Sequence, residues 1–295
     1  MKKLLSILFL CSIAYLAFTY QTNITEYILK NFINDKLIVV YDNNAYTKSV
    51  ISDYKTVTNF YPNNKDDIIN IFYTALNGGW DNVIFFCTSK YENCLNDVIY
   101  LSNQSNEFNK VNNYVHPYNS YQRLLLNYNN LGKVQINIEK LYSNDEIKQL
   151  NSTVDEIIKN NINEVMSQRD KIKVIHDYII NNTSYDKVSA EKVENNSTVD
   201  FKSHKANGSL IDNKAICGGY SDAMALFLNK FNIENYKISS EKHIWNYVKL
   251  DNTWLHLDLT WDDPVVSPPK DVLLYNFFLI DDEKLKELDT NQHDY

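Results

Sequence analysis

The stretch Ala215 to Pro264, AICGGYSDAMALFLNKFNIENYKISSEKHIWNYVKLDNTWLHLDLTWDDP, reads as a helix followed by strands. Cys217 stands where the helix begins, and Tyr220, Ala223, Met224, Phe227, Leu228 and Phe231 continue it as an apolar stripe. A sulfur in a first helical turn feels the positive end of the macrodipole, which favours its anion. Gly218 and Gly219 carry no side chains, so a backbone or a substrate can come close to it. Downstream, His243 to Leu250 and Trp254 to Thr260 have strand composition, with Asp251-Asn252 as a two-residue turn. That turn sets Leu250 opposite Thr253 and Trp245 opposite Asp258. Alternation then puts His243, Trp245, Tyr247, Trp254, His256 and Asp258 on one face. Ile244, Asn246, Val248, Leu250, Leu255, Leu257 and Leu259 take the other. We expect the aliphatic face to pack inward and the polar-aromatic face to look at the Cys217 helix. His243 and Asp258 become diagonal neighbours, roughly 7–8 Å apart at the backbone. That geometry suits an imidazole oriented by a carboxylate and aimed at a thiol.

These motifs carry a resemblance. C-G-G-Y at a helix start, H-x-W-N opening a strand and L-D-x-T-W-D-D-P closing the next are similar to the transglutaminase-like superfamily, whose core is related to papain-like cysteine proteases. Val115 to Tyr121 (VHPYNSY) and Lys171 to Ile180 (KIKVIHDYII) resemble exported Firmicute members. The resemblance implies an α+β fold: helices packed on an antiparallel sheet, preceded by a smaller N-terminal α/β region. It also implies Cys217 as nucleophile, His243 as general base and acid, and Asp258 as orienter. The segment Ala206-Asn207-Gly208-Ser209-Leu210 departs from the A-Y-G-x-L found in relatives. Asn207 replaces the aromatic, so only a hydrogen bond from its amide is left as a substrate-binding role.

Composition bounds the alternatives. The chain has 295 residues, 44% of them hydrophobic, enough for two modest domains. A net charge of −8 and the lack of a dense basic stretch argue against nucleic acid as partner. Lys2 and Lys3 precede an apolar run from Leu4 to Phe18, which reads as an export signal. An uncleaved signal anchor over 1–20 is preferred to a cleaved signal peptide, with the body outside the membrane. Residues 21–35 read as a connector, 36–141 as the N-terminal α/β region and 142–295 as the catalytic domain. Two readings of Cys87 and Cys94 stand: a disulfide in an oxidising compartment, or a buried thiol where Cys87 ends the apolar run Val83 to Phe86.

Along the chain, strands are expected at Lys36–Tyr41 and Asn82–Cys87, and helices at Asp66–Leu76 and Tyr91–Leu101. Tyr121–Tyr128 and Lys133–Leu141 read as a hairpin, and Asn144 to Asn182 as two helices. His116, His176 and Asp177 read as structural. Tyr185 to Lys214 is polar and without sustained period, so it reads as a long loop beside the cleft. Val272–Ile280 reads as a buried strand, and Asp281-Asp282 as caps of a last helix.

The chemistry expected is acyl transfer on an amide bond, through a thioester on Cys217, in a peptide or protein substrate associated with the cell wall. Water as second nucleophile makes a peptidase or amidase, and an amine makes a transglutaminase. Gly218 and Gly219 let substrate approach the sulfur, Trp245 and Trp254 read either as walls of the cleft or as aromatic packing against the helix, and no cofactor or metal is called for. Two alternatives stand beside this. One is a non-catalytic cell-surface binding module of the same fold. The other is a zinc site on Cys217, His243 and His256, which lacks the close ligand pairs typical of zinc.

Overall fold

The computed structural model describes residues 36–41, 46–49, 51–103, 105–194, 201–264, 273–288 and 291–295. The expected leader and connector lie outside these residues. No helix among the described residues is long and apolar enough to cross a membrane.

The first half contains β1 (Lys36–Tyr41), α1 (Lys65–Asn77), β2 (Asn82–Phe86), α2 (Cys94–Asn103), α3 (Ser105–Asn112), β3 (Tyr121–Tyr128) and β4 (Lys133–Lys140). The strands form one antiparallel sheet in the order β1-β3-β4-β2. Asn64 caps α1 by accepting from the Asp67 N–H, and Gly79 beyond its end has φ of 69°. The β3–β4 turn needs Gly132: its φ is 84°, and a Cβ there would meet the Cys87 carbonyl oxygen at 2.2 Å. Ile71, Phe72, Leu76, Phe85, Phe108 and Leu124 form the core between helices and sheet. Cys87 and Cys94 are joined in a disulfide, the first of the two readings. Helix α3 was not expected, because its Asn-rich sequence, SNEFNKVN, carries a weak helical signal.

The second half contains α4 (Asn144–Asn161), α5 (Gln168–Asn182), β5 (Ser184–Tyr185), α6 (Lys187–Glu194), α7 (Ala206–Leu210), β6 (Lys214–Ala215) and α8 (Cys217–Lys230). It continues through β7 (Asn235–Ser239), β8 (Ile244–Leu250), β9 (Thr253–Leu257), α9 (Leu259–Asp262), β10 (Phe278–Ile280) and α10 (Asp282–Leu288). Helices packed on the antiparallel sheet β10-β9-β8-β7 make this an α+β fold. A capping box on Ser143 and Glu146 starts α4. The hairpin register is the expected one, with Leu250 opposite Thr253. Asp251 and Asn252 both have positive φ, 50° and 62°, as a primed two-residue turn requires.

Three expectations need correction. The aliphatic face of the hairpin, not the aromatic one, meets the Cys217 helix: Val248, Leu250 and Leu257 share a core with Tyr220, Ala223, Met224 and Phe227. The helix carries its own apolar stripe, so it is the inward layer that the aliphatic face seeks. Trp245, Tyr247 and Trp254 instead form a separate cluster with Ile238, Phe277 and Leu285 on the far side. The segment 185–214 is not one long loop, since its described part holds α6, a 3-10 turn at Phe201–His204, α7 and the parallel pair β5–β6. Ser203 and His204 of the turn and most of α7 are buried by close packing rather than by a periodic stripe, and α6 is largely exposed, so periodicity could not reveal them. Finally, the last strand is only Phe278–Ile280; residues 265–272 lie outside the described ones, and 273–277 are irregular.

Candidate active site

Cys217 is the first residue of α8, is free, and is 4% exposed. The helix start is clamped by the segment 203–206. The Ile216 N–H donates to the Ser203 carbonyl at 2.9 Å. A Cβ on Gly219 would come within 2.6 Å of that same carbonyl oxygen and 2.9 Å of the one on Lys205. A Cβ on Gly218 would meet the Tyr46 hydroxyl at 2.8 Å and the His204 carbonyl at 2.9 Å. The glycines therefore admit the chain's own groups to the surroundings of the sulfur.

His243 sits in the turn between β7 and β8. Its N–H donates to Ser240 Oγ at 3.1 Å, and its carbonyl accepts from the Ser240 N–H at 2.9 Å. The ring stacks on Trp245, with centroids 5.6 Å apart. The Cys217 thiol interacts with the ring and favours its charged form. The ring Nε2 is hydrogen-bonded to Asp258 Oδ2.

Asp258 closes β9 and caps the single turn α9. Its Oδ1 accepts from the N–H groups of Thr260, at 2.9 Å, and Trp261, at 3.2 Å. The T-W-D-D-P corner thus uses one carboxylate oxygen to start a helix and leaves Oδ2 for the imidazole. His243 and Asp258 are 3% and 1% exposed. Burial works against charge on the His243 ring, but the charge and hydrogen bond of Asp258, with the contact to Cys217, raise it to about 10. Burial likewise pushes Asp258 up, but the His243 ring, with hydrogen bonds from His243 and His293, holds it well below the usual carboxylate range. The arrangement sets a buried imidazole between a thiol and a carboxylate in a dry setting.

The remaining candidates fall out differently. Trp245 is 1% exposed and lies behind the His243 ring, donating from Nε1 to His256 Nδ1 at 2.9 Å. Asn207 is buried in α7, and its Oδ1 has no hydrogen-bond partner among the described residues. His256 does not join Cys217 and His243 as a zinc ligand: its Nε2 bonds to Asp282 at 2.9 Å, within the aromatic cluster. Burial pushes His256 down to about 4, so it stays neutral. His176 is a structural group, hydrogen-bonded to Asp177 at 3.0 Å and to Asp262 at 3.2 Å.

Two residues at this site were missed by sequence reasoning. The Tyr46 hydroxyl lies 3.4 Å from His204 Nδ1, and burial first, then Cys217, raises it well above the ordinary value. The stretch 46–49 is placed by a buried cluster in which Ser49 and Ser239 exchange backbone and hydroxyl bonds and Asn113 donates to both hydroxyls. Beside Tyr46 opens a cavity of about 470 Å³, lined by Lys48, Tyr100, Asn106, Lys110 and Glu241 among others. The second missed residue is His293, whose Nε2 lies 2.8 Å from Asp258 Oδ2. Neither residue stands in a motif, and each is far in sequence from Cys217.

His243, Asp258 and His293 bring three donor atoms within 4.8 Å of one another, a set that can be asked to hold a metal. Ligand atoms around a tetrahedral zinc stand about 3.3 Å apart. The His293–Asp258 separation of 2.8 Å is instead that of a shared proton.

No family model and no curated protein matches this chain. Among solved structures it is similar to a TGase, with 18% identity and a TM-score of 0.38, the match covering 51% of this chain and 46% of that one. It is also similar to a "Putative Cysteine Protease" from Cytophaga hutchinsonii, with 13% identity, a TM-score of 0.28 and coverage of 48% and 58%. The chain thus spans about half the length of each of these two structures.

Proposed function

We propose that the chain is a cysteine acyl-transfer enzyme of transglutaminase-like type, with Cys217 as nucleophile, His243 as general base and acid, and Asp258 as orienter. The observation that carries this reading is one buried imidazole hydrogen-bonded to the Asp258 carboxylate and interacting with the Cys217 thiol. In the proposed cycle the Cys217 sulfur attacks an amide carbonyl and forms a thioester, and His243 passes its proton to the departing amine. Water or a second amine then cleaves the thioester, with His243 accepting the proton of the attacking group. Asp258 keeps the ring oriented and its charge balanced throughout.

The cleft beside Tyr46 is the proposed entry for substrate, and its lysines, glutamates and asparagine suit a polar peptide. Tyr46 lines that cleft and interacts with Cys217, which links the cleft to the sulfur. Residues 36–141 and 142–295 are proposed as two units. Export, anchoring through 1–20 and action at the cell wall belong to the same proposal, on the strength of the basic and apolar start.

The test is trapping of an acyl-enzyme with a peptide and amine library, comparing wild type with Cys217→Ala. A thioester adduct on Cys217, absent from the variant, is expected. Label from the amine in the product indicates transfer, and label from water indicates hydrolysis. If Cys217 forms no adduct and reacts with iodoacetamide no faster near neutral pH than a free thiol, the chain is a binding module and the enzyme reading fails.

A further inference from the structure

Asp258 is hydrogen-bonded more fully than a two-residue relay requires. Its Oδ1 is committed to two backbone N–H groups at the start of α9. Its Oδ2 meets two imidazoles, Nε2 of His243 and Nε2 of His293. An ionised carboxylate only accepts, so both ring nitrogens carry protons directed at the same oxygen. His293 is built into this place. Its side chain is fully buried, its ring stacks on Phe277 at 5.0 Å, and it meets Trp245 and Trp261 edge-on at 4.7 and 5.2 Å. It also stands edge-to-face against His243 at 5.2 Å. The flanking residues hold it there. Asp294 pairs with Lys48 at 2.6 Å, and the Tyr295 hydroxyl reaches Asp282 at 3.3 Å.

We propose that His293 is a positioning residue of the triad: its Nε2–H fixes the Asp258 carboxylate in the line of the His243 ring and thereby keeps that ring aimed at the Cys217 sulfur. This rests on the enzyme reading above, and it adds a fourth side chain that acts through Asp258 rather than on substrate. Two donors on Oδ2 hold that oxygen in one orientation and offset part of its desolvation, which is large for a buried carboxylate. With one donor gone, the carboxylate holds the His243 imidazolium less well. The ring is then a less constant partner for the Cys217 sulfur, and its alkylation slows. The titratable groups around this cluster are Cys217 and Tyr46 on the thiol side, and His256, Asp282 and Tyr295 on the far side. The Lys48–Asp294 ion pair lies at the rim.

The experiment is the pH profile of Cys217 alkylation by iodoacetamide in the full chain, for wild type, H293F and H293Q. H293F keeps ring volume and loses the N–H, whereas H293Q returns an N–H donor. In H293F the acidic limb is expected to move up by about one pH unit, which is roughly a tenfold slower reaction at a pH on that limb. H293Q is expected to recover at least half of that shift. A role confined to packing would lower the melting temperature of H293F and leave the limb in place. That result, or a glutamine variant no better than the phenylalanine one, overturns the proposal. Zinc bound at one equivalent in the wild type and lost in H293Q overturns it as well.

If H293F does not fold, nitrogen-15 histidine spectra of the wild type decide: the Nε2-protonated tautomer of His293 is required, and the Nδ1-protonated one refutes it. A wild-type Cys217 no more reactive than a free thiol sinks the enzyme reading itself. A fast wild type with an unmoved H293F profile sinks only the role of His293.

Discussion

Replacing Asp258 by Asn removes the charge that makes His243 a strong base and leaves the shape of the side chain. Asp258 is the largest favourable influence on the ring, which it helps raise from 6.5 to about 10 against burial. Without that charge burial remains, so the ring titrates at its ordinary value or below. At pH 8 a ring titrating at 6.5 is charged in about 3% of molecules, so the ion pair falls roughly thirtyfold. The amide adds a second effect. Its oxygen can still cap α9, but its NH₂ then faces the Nε2–H groups of His243 and His293. Donor meets donor, and both rings must change tautomer or turn, at a cost of about 1–3 kcal/mol. The assay is the rate of Cys217 alkylation from pH 5 to 10, with mass spectrometry to assign the modified residue. The wild type is expected to react faster than a free thiol on the acidic side of neutrality, and D258N to lose that advantage and follow the profile of a free thiol. A D258N profile superimposed on the wild type would refute the bridging role of His243.

Three other outcomes follow from named contacts. His256 titrates at about 4 in the fold against 6.5 unfolded, because burial opposes its charge. Its stabilising contribution is therefore complete above pH 6.5 and is lost as the pH falls towards 4, by about 2–3 kcal/mol. Urea midpoints of wild type and H256Q at pH 7 and pH 4.5 check this, and an equal acid loss in both counts against it. Lys237 and Asp222 form a buried pair at 2.5 Å, with Tyr142 donating to the same carboxylate. K237M strands that carboxylate and should cost about 3–5 kcal/mol in denaturant unfolding, most of it recovered by adding D222L. Gly219→Ala drives a methyl into the carbonyl oxygens of Ser203 and Lys205, and the same measurement should register a loss of about 1–3 kcal/mol.

Local sequence specifies the short-range pieces of this protein. The helical stripe after Cys217, the Asp251-Asn252 turn and the strand alternation together set the hairpin register, because each depends on residues a few positions apart. That register also brings Asp258 close to His243, so the pair is legible from the order of residues in one hairpin. Which face of the hairpin meets the helix is a matter of tertiary packing, since both faces are apolar and alternation does not say which layer lies inside. Packing also brings in Tyr46 from 158 positions before His204 and His293 from 35 positions after Asp258. Contacts of that span leave no periodic trace in a sequence. They arise where distant segments are pressed together, the same cause that hid the buried short helices of 201–210.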